Sequence, residues 1–148
     1  MIGSSTKRLK VYYIGNELIE KDTIHIKVCE KLKGTLNDVD FIRLNDPLEL
    51  LEVNTFPVVL VDSALGIKEV MIVDSPQMLL DESIVSAHFL NLAFCIKLCT
   101  TMNINFKFKA ICIPINTSLE EAVNEVRVKL EDIKRDSMRK EVQELKND

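Results

Sequence analysis

Val58-Val59-Leu60-Val61-Asp62 is the stretch on which the fold turns. Four successive aliphatic residues, three of them β-branched, cannot alternate between a core and solvent. Such a run reads as a strand buried on both faces, the mark of a central strand in a parallel sheet with helices on either side. The run closes on a carboxylate. In open α/β sheets ligands bind beyond the carboxyl ends of the strands, so Asp62 is the first candidate for a site. The competing reading is an ordinary turn or capping Asp.

Toward the N-terminus, Val11-Tyr12-Tyr13-Ile14 is a β-rich run closed by Gly15-Asn16, a strand followed by a tight turn. A polar loop leads to a helix over 24–33, where Ile24, Val28 and Leu32 recur at i, i+4 and i+8 and Gly34 is the stop signal. Residues 39–44 read as a second strand. Asp46 is placed to cap a short helix with Pro47 as its first residue, and Leu48 and Leu51, with Leu50 as a third candidate, are expected to face the core.

Toward the C-terminus, Gly66 marks the turn after the central strand. A strand over 69–73, at an edge, ends at Asp74-Ser75-Pro76. Ser86 is expected to open a very apolar helix over 87–102, with Phe89, Leu92, Ala93, Ile96 and Cys99 on one face. Residues 106–113 read as a further strand stopped by Pro114. Ser118 and Glu121 form a capping box for a final helix whose stripe is Leu119, Ala122, Val123, Val126, Leu130 and Ile133. The charged extension 136–148 either continues that helix or frays. Strands alternating with helices imply βαβ units. The expected architecture is a three-layer α/β/α sandwich around a mainly parallel sheet of about five strands.

A length of 148 residues fits one domain, 1–148, with a flexible N-terminus at 1–8. Hydrophobic residues make up 47% and charged residues 28%, a globular balance. Aromatics are 5% and there is no Trp, so Ile, Leu and Val must build the core. The net charge of −4 argues against a nucleic-acid partner, which a basic face would serve; Lys7-Arg8-Leu9-Lys10 reads as a solvated strand entry. Cys29, Cys95, Cys99 and Cys112 lie in apolar runs without CxxC spacing, and read as reduced, buried thiols of a cytoplasmic protein. No stretch approaches the roughly 18 apolar residues of a spanning helix, so membrane insertion is not expected.

Few residues carry chemistry. His88 falls in the first turn after Ser86, where the positive helix end disfavours imidazolium and a neutral imidazole can ligate a metal. The bland alternative is a helix-start histidine bonded to nearby backbone. His25 reads as a surface or capping residue. Cys95 and Cys99, four apart, could hold a soft metal, but on so apolar a helix they read as core. HExxH, zinc-finger, GxGxxG, Walker A and GxSxG patterns are absent.

Taken together these segments resemble the hydrogenase maturation endopeptidases. Gly15-Asn16-Glu17-Leu18-Ile19-Glu20-Lys21-Asp22 is similar to that family's opening turn and acidic loop. Leu60-Val61-Asp62-Ser63 resembles its strand-end Val-Asp segment, and Ser86-Ala87-His88-Phe89-Leu90-Asn91-Leu92 its Ser-x-His-x-x-x-Leu segment. The resemblance, spanning about 9–133, implies an α/β/α sandwich. It also implies an endopeptidase that removes a C-terminal peptide from the precursor of a nickel–iron hydrogenase large subunit after nickel insertion. Carried over by motif, Asp22, Asp62 and His88 are the catalytic and metal-contacting residues. The nickel arrives with the substrate, and no tightly bound cofactor is expected. The implied partner is the large-subunit precursor, the protein itself acting as a cytoplasmic monomer. One His and two carboxylates are N/O donors suited to Ni or Zn and too few to fill a coordination sphere, which suits a metal borne by the substrate.

The chain departs from the family pattern at three places. Lys21 stands where a second acidic residue is usual, Thr23 where glycine is usual, and Cys112-Ile113-Pro114 where a Gly-Ile-Glu-Pro type turn is usual. These mark a divergent member. They keep open a non-catalytic relative that acts as an assembly or nickel-site binding factor. A small α/β enzyme or ligand-binding domain unrelated to hydrogenase is the third reading.

Overall fold

The computed structural model describes residues 8–15, 24–75, 77–78, 85–86, 92–103 and 105–146. Its centre is β3 (Val58–Leu65), every residue of which is buried except the last. β3 pairs in parallel with β1 (Leu9–Ile14) on one flank and with β6 (Phe108–Pro114) on the other. β2 (Val39–Leu44) extends the sheet in parallel from β1, and β4 (Met71–Val73) closes the far edge antiparallel to β6. The order is β2-β1-β3-β6-β4, with the two-residue β5 (Val85–Ser86) paired antiparallel to the end of β3. The expected mainly parallel sheet of five strands is therefore present, with β5 added at its margin.

The pleat sorts the core into two layers, because successive strand residues point to opposite faces. Val59 and Val61, with Val11, Tyr13, Ile111 and Ile113, pack under α1 (Ile24–Lys33) and the long α3 (Leu119–Lys146). Val58 and Leu60, with Ala110 and Cys112, pack under α2 (Leu92–Met102) and a 3-10 helix at Pro47–Glu52. Helices on both faces complete the α/β/α sandwich.

Local signals hold where the chemistry is local. Asp46 caps the 3-10 helix through Leu48 N–H, and Glu49 accepts in return from Asn45 and Asp46 backbone N–H. Glu121 N–H donates to Ser118 Oγ at the start of α3, and Gly66 takes a φ of 86° just past β3. Several expectations need correction. Leu48 and Leu51 are 42% and 39% exposed and only Leu50 is buried. With three residues per turn a 3-10 helix stacks i and i+3, so Pro47 and Leu50 share the inner face. β4 begins at Met71 rather than 69, and β3 runs three residues past Asp62. Ser86 is not a helix cap: it pairs with Ala64 in β5, and the helical residues of α2 begin at Leu92. α3 continues to Lys146, exposing Met138, Val142 and Leu145 beyond the packed stripe. Among the described residues no helix is long and apolar enough to cross a membrane.

The strand order also locates a topological switch point. From β1 the chain passes outward to β2 through α1 on one face, then returns across β1 to β3 by way of the 3-10 helix on the other. The direction of winding thus reverses between β1 and β3. In open α/β sheets such a reversal, outside the carboxyl ends of the strands, is where ligands bind.

Candidate functional site

β1 and β3 are paired at Val11–Val59, Tyr12–Leu60 and Tyr13–Val61, and their pairing stops there. Asp62 is the next residue of β3. Its other flank remains in register with β6, opposite Cys112. It is thus held on a central strand, level with the last residue of β1 and one position past the last β1–β3 pair, and it is 2% exposed. Its Oδ1 accepts the backbone N–H of Ser63 at 2.8 Å.

Next to it lies a residue that sequence reasoning misplaced. His25 is fully buried rather than on the surface. Its Nε2 is 2.6 Å from the Ile14 carbonyl oxygen at the end of β1, and its Nδ1 is 2.7 Å from Ser63 Oγ. Its backbone N–H also donates to Ser63 Oγ, at 3.2 Å. Nε2 is 4.0 Å from Asp62 Oδ1. A signal for its burial was present: His25 precedes Val28, Cys29 and Leu32 by three, four and seven positions, and all four are buried on one face of α1. The stripe of Ile24, Val28 and Leu32 does face the core, and His25 lies beside it on the same face.

The turn after β1 is tightly packed. A β-carbon on Gly15 would lie 2.9 Å from Ile26 Cδ1 and 3.0 Å from Arg43 Nη2, so any side chain here must push the ends of those two residues aside. The Gly15 carbonyl accepts from Arg43 Nε at 3.1 Å. Arg43 also lies 3.9 Å from Glu30, whose carboxylate accepts from Tyr13 Oη–H at 2.8 Å. Burial and the bond to Glu30 push the Tyr13 phenol well above its usual value.

The cysteines near Asp62 are held neutral. Burial, and secondarily the Asp62 carboxylate, push the Cys112 thiol up to about 12. Burial, then Glu30 and Asp62, push Cys29 well above the ordinary thiol value. Neither offers a thiolate at neutral pH, as a nucleophile or a soft metal ligand would require.

Asp22 and His88 lie outside the described residues, so of the three candidates Asp62 alone has a described position. Of the described residues that flank their segments in the chain, Gly15 follows the end of β1, His25 contacts Ile14 and Ser63, and Ser86 pairs beside the end of β3. Among the described residues no three His, Cys, Asp or Glu side chains form a group able to hold a metal ion. A separate groove of about 350 Å³ is lined by Lys10, Tyr12, Arg43, Asn45, Glu49 and Glu52, among others. Its charges are mixed, and neither Asp62 nor His25 lines it.

No protein-family model matches the chain, and no curated protein sequence matches it. Among solved structures, the NiFe hydrogenase maturation protease HycI from Thermococcus kodakarensis KOD1 matches with a TM-score of 0.52 at 20% identity. The match covers 86% of this chain and 93% of that one. The expected resemblance is thereby met at the level of the fold: this chain is similar in architecture to a NiFe hydrogenase maturation protease.

Proposed function

We propose that the protein is an endopeptidase of the hydrogenase-maturation type, cutting a C-terminal extension from a nickel–iron hydrogenase large-subunit precursor. The observation that carries this reading is the place of Asp62, a buried carboxylate at the switch point of a fold shared with a protease of that kind. Asp62, with Asp22 and His88, supplies the N/O donors that suit a nickel ion already bound to the precursor. Three donors leave coordination positions open, through which the substrate's metal can polarise the scissile carbonyl or activate a water. The enzyme's own residues recognise and orient that metal, so a precursor lacking nickel is not cut. The protein acts as a cytoplasmic monomer.

The departures at Lys21 and Thr23 favour a second reading, a non-catalytic assembly factor that holds the same precursor. One experiment separates the two. The purified protein is incubated with nickel-loaded and nickel-free precursor, and each is read by intact mass. Loss of a C-terminal peptide only from the nickel-loaded precursor, reduced at least about 100-fold by Asp62→Asn, is the expected result. A stable complex whose precursor never shortens overturns the endopeptidase in favour of the assembly factor. Full cleavage by Asp62→Asn removes the role assigned to that carboxylate.

A further inference from the structure

The geometry assigns His25 as the positioning residue for Asp62, a role that rests on the reading of Asp62 as a site residue. The donor and acceptor roles around the ring follow from its partners. The Ile14 carbonyl can only accept, so Nε2 carries the proton given to it at 2.6 Å. In the neutral ring Nδ1 then holds a lone pair and accepts the Ser63 hydroxyl at 2.7 Å. Ser63 Oγ in turn accepts the His25 backbone N–H at 3.2 Å. All of this is buried, where polar atoms are costly unless bonded.

These bonds join the last residue of β1 to the residue after Asp62, where direct pairing of the two strands has already stopped at Tyr13–Val61. The ring therefore sets the gap between the two strand ends. It also anchors Ser63, whose backbone N–H is the donor at 2.8 Å to Asp62 Oδ1. The Nε2 proton is directed at Ile14 O, not at the carboxylate 4.0 Å away, so His25 aligns Asp62 without donating a hydrogen bond to it. The Ser63–His25 contact has the length of a nucleophile–base pair. Ser63 is fully buried, and its hydroxyl proton and acceptor are both engaged by His25, which makes the pair a clamp and not a catalytic dyad.

The test uses the full chain and two variants. His25→Gln can place its amide donor at Ile14 O but then has no acceptor at the Nδ1 position facing Ser63; Ser63→Ala removes the hydroxyl. The first readout needs no precursor: ring ¹⁵N correlations of His25 and the side-chain ¹³C carboxyl resonance of Asp62. Expected are the neutral Nε2–H tautomer in the parent and a displaced Asp62 resonance in either variant, with the double variant no further displaced. An Nδ1–H tautomer, or an Asp62 resonance unmoved in both variants, overturns the assignment. Should His25→Gln fail to fold, Ser63→Ala decides alone.

The second readout is cleavage of nickel-loaded precursor. Misalignment lowers kcat about 10- to 100-fold with KM unchanged. A folded variant whose kcat stays within about twofold of the parent overturns the positioning role. If the parent itself never cleaves, the endopeptidase reading falls, and the resonance measurement still decides whether His25 aligns Asp62.

Discussion

His25 Nδ1 and Ser63 Oγ, 38 positions apart in the chain, stand 2.7 Å from each other with both residues fully buried. Ser63→Ala leaves the ring nitrogen and the His25 backbone N–H without this partner in the interior. The cost of such a loss is about 1–3 kcal/mol, and it is expected as a lowered midpoint in urea with an unchanged slope. A midpoint equal to that of the parent would mean that water or another group replaces the hydroxyl.

Gly15→Ala places a methyl 2.9 Å from Ile26 Cδ1 and 3.0 Å from the Arg43 guanidinium. Ile26 is itself buried and cannot swing into solvent, so overpacking costs about 1–3 kcal/mol. Removing the offending atom in the double variant with Ile26→Val is expected to recover part of this loss, read as non-additivity in a thermal unfolding cycle. Strict additivity would show that Arg43, and not Ile26, bears the strain.

Lys134 on α3 donates to Asp38 just before β2 at 2.7 Å. That bond, first among several causes, holds the Asp38 carboxyl below its ordinary value of 3.8. A depressed carboxyl stabilises the fold above its unfolded value and loses that contribution as pH falls through the lower, folded one. Asp38 is 65% exposed, so the pair is worth at most about 1 kcal/mol. Lys134→Met should be slightly less stable than the parent at pH 7 and indistinguishable from it below the folded Asp38 value or in high salt. A gap that persists in acid would assign the effect to lost packing of the lysine stem.

All four cysteines are buried and free. Burial pushes Cys112 up to about 12 and Cys95 up to about 11, and raises Cys29 and Cys99 as well. Native protein treated with iodoacetamide at pH 8 should therefore gain no adduct while it stays folded, and four in denaturant. The unfolded chain loses thiol protons near the ordinary value of 9.0 while the folded chain keeps them, so stability should fall as pH rises from there toward 12. Rapid alkylation of one native thiol would reveal a local opening at that residue.

Much of the architecture was legible along the chain because its causes are short-range. The uninterrupted run Val58-Val59-Leu60-Val61 reads as a doubly covered strand, and the helix at 24–33, the strand at 39–44 and the caps Asp46 and Ser118 followed from spacing and from side chains that bond their own neighbours. Where a local signal failed, a distant partner or a different helical period had decided. Ser86 has the chemistry of a helix cap, yet it pairs with Ala64 of β3. Leu51 has the chemistry of a core residue, yet the 3-10 period turns Leu50 inward instead.

The candidate site divides in the same way. The sequence by itself determined that a carboxylate, Asp62, stands on the most apolar strand, because residue type and hydrophobic pattern are properties of contiguous chain. Only the tertiary structure decided that β1 stops pairing one residue short of it, and that His25 turns inward to meet Ile14 and Ser63. A polar side chain can be buried only where bonding partners await it. Those partners come from strands 11 and 38 positions away, a relation that periodicity within a single helix does not contain.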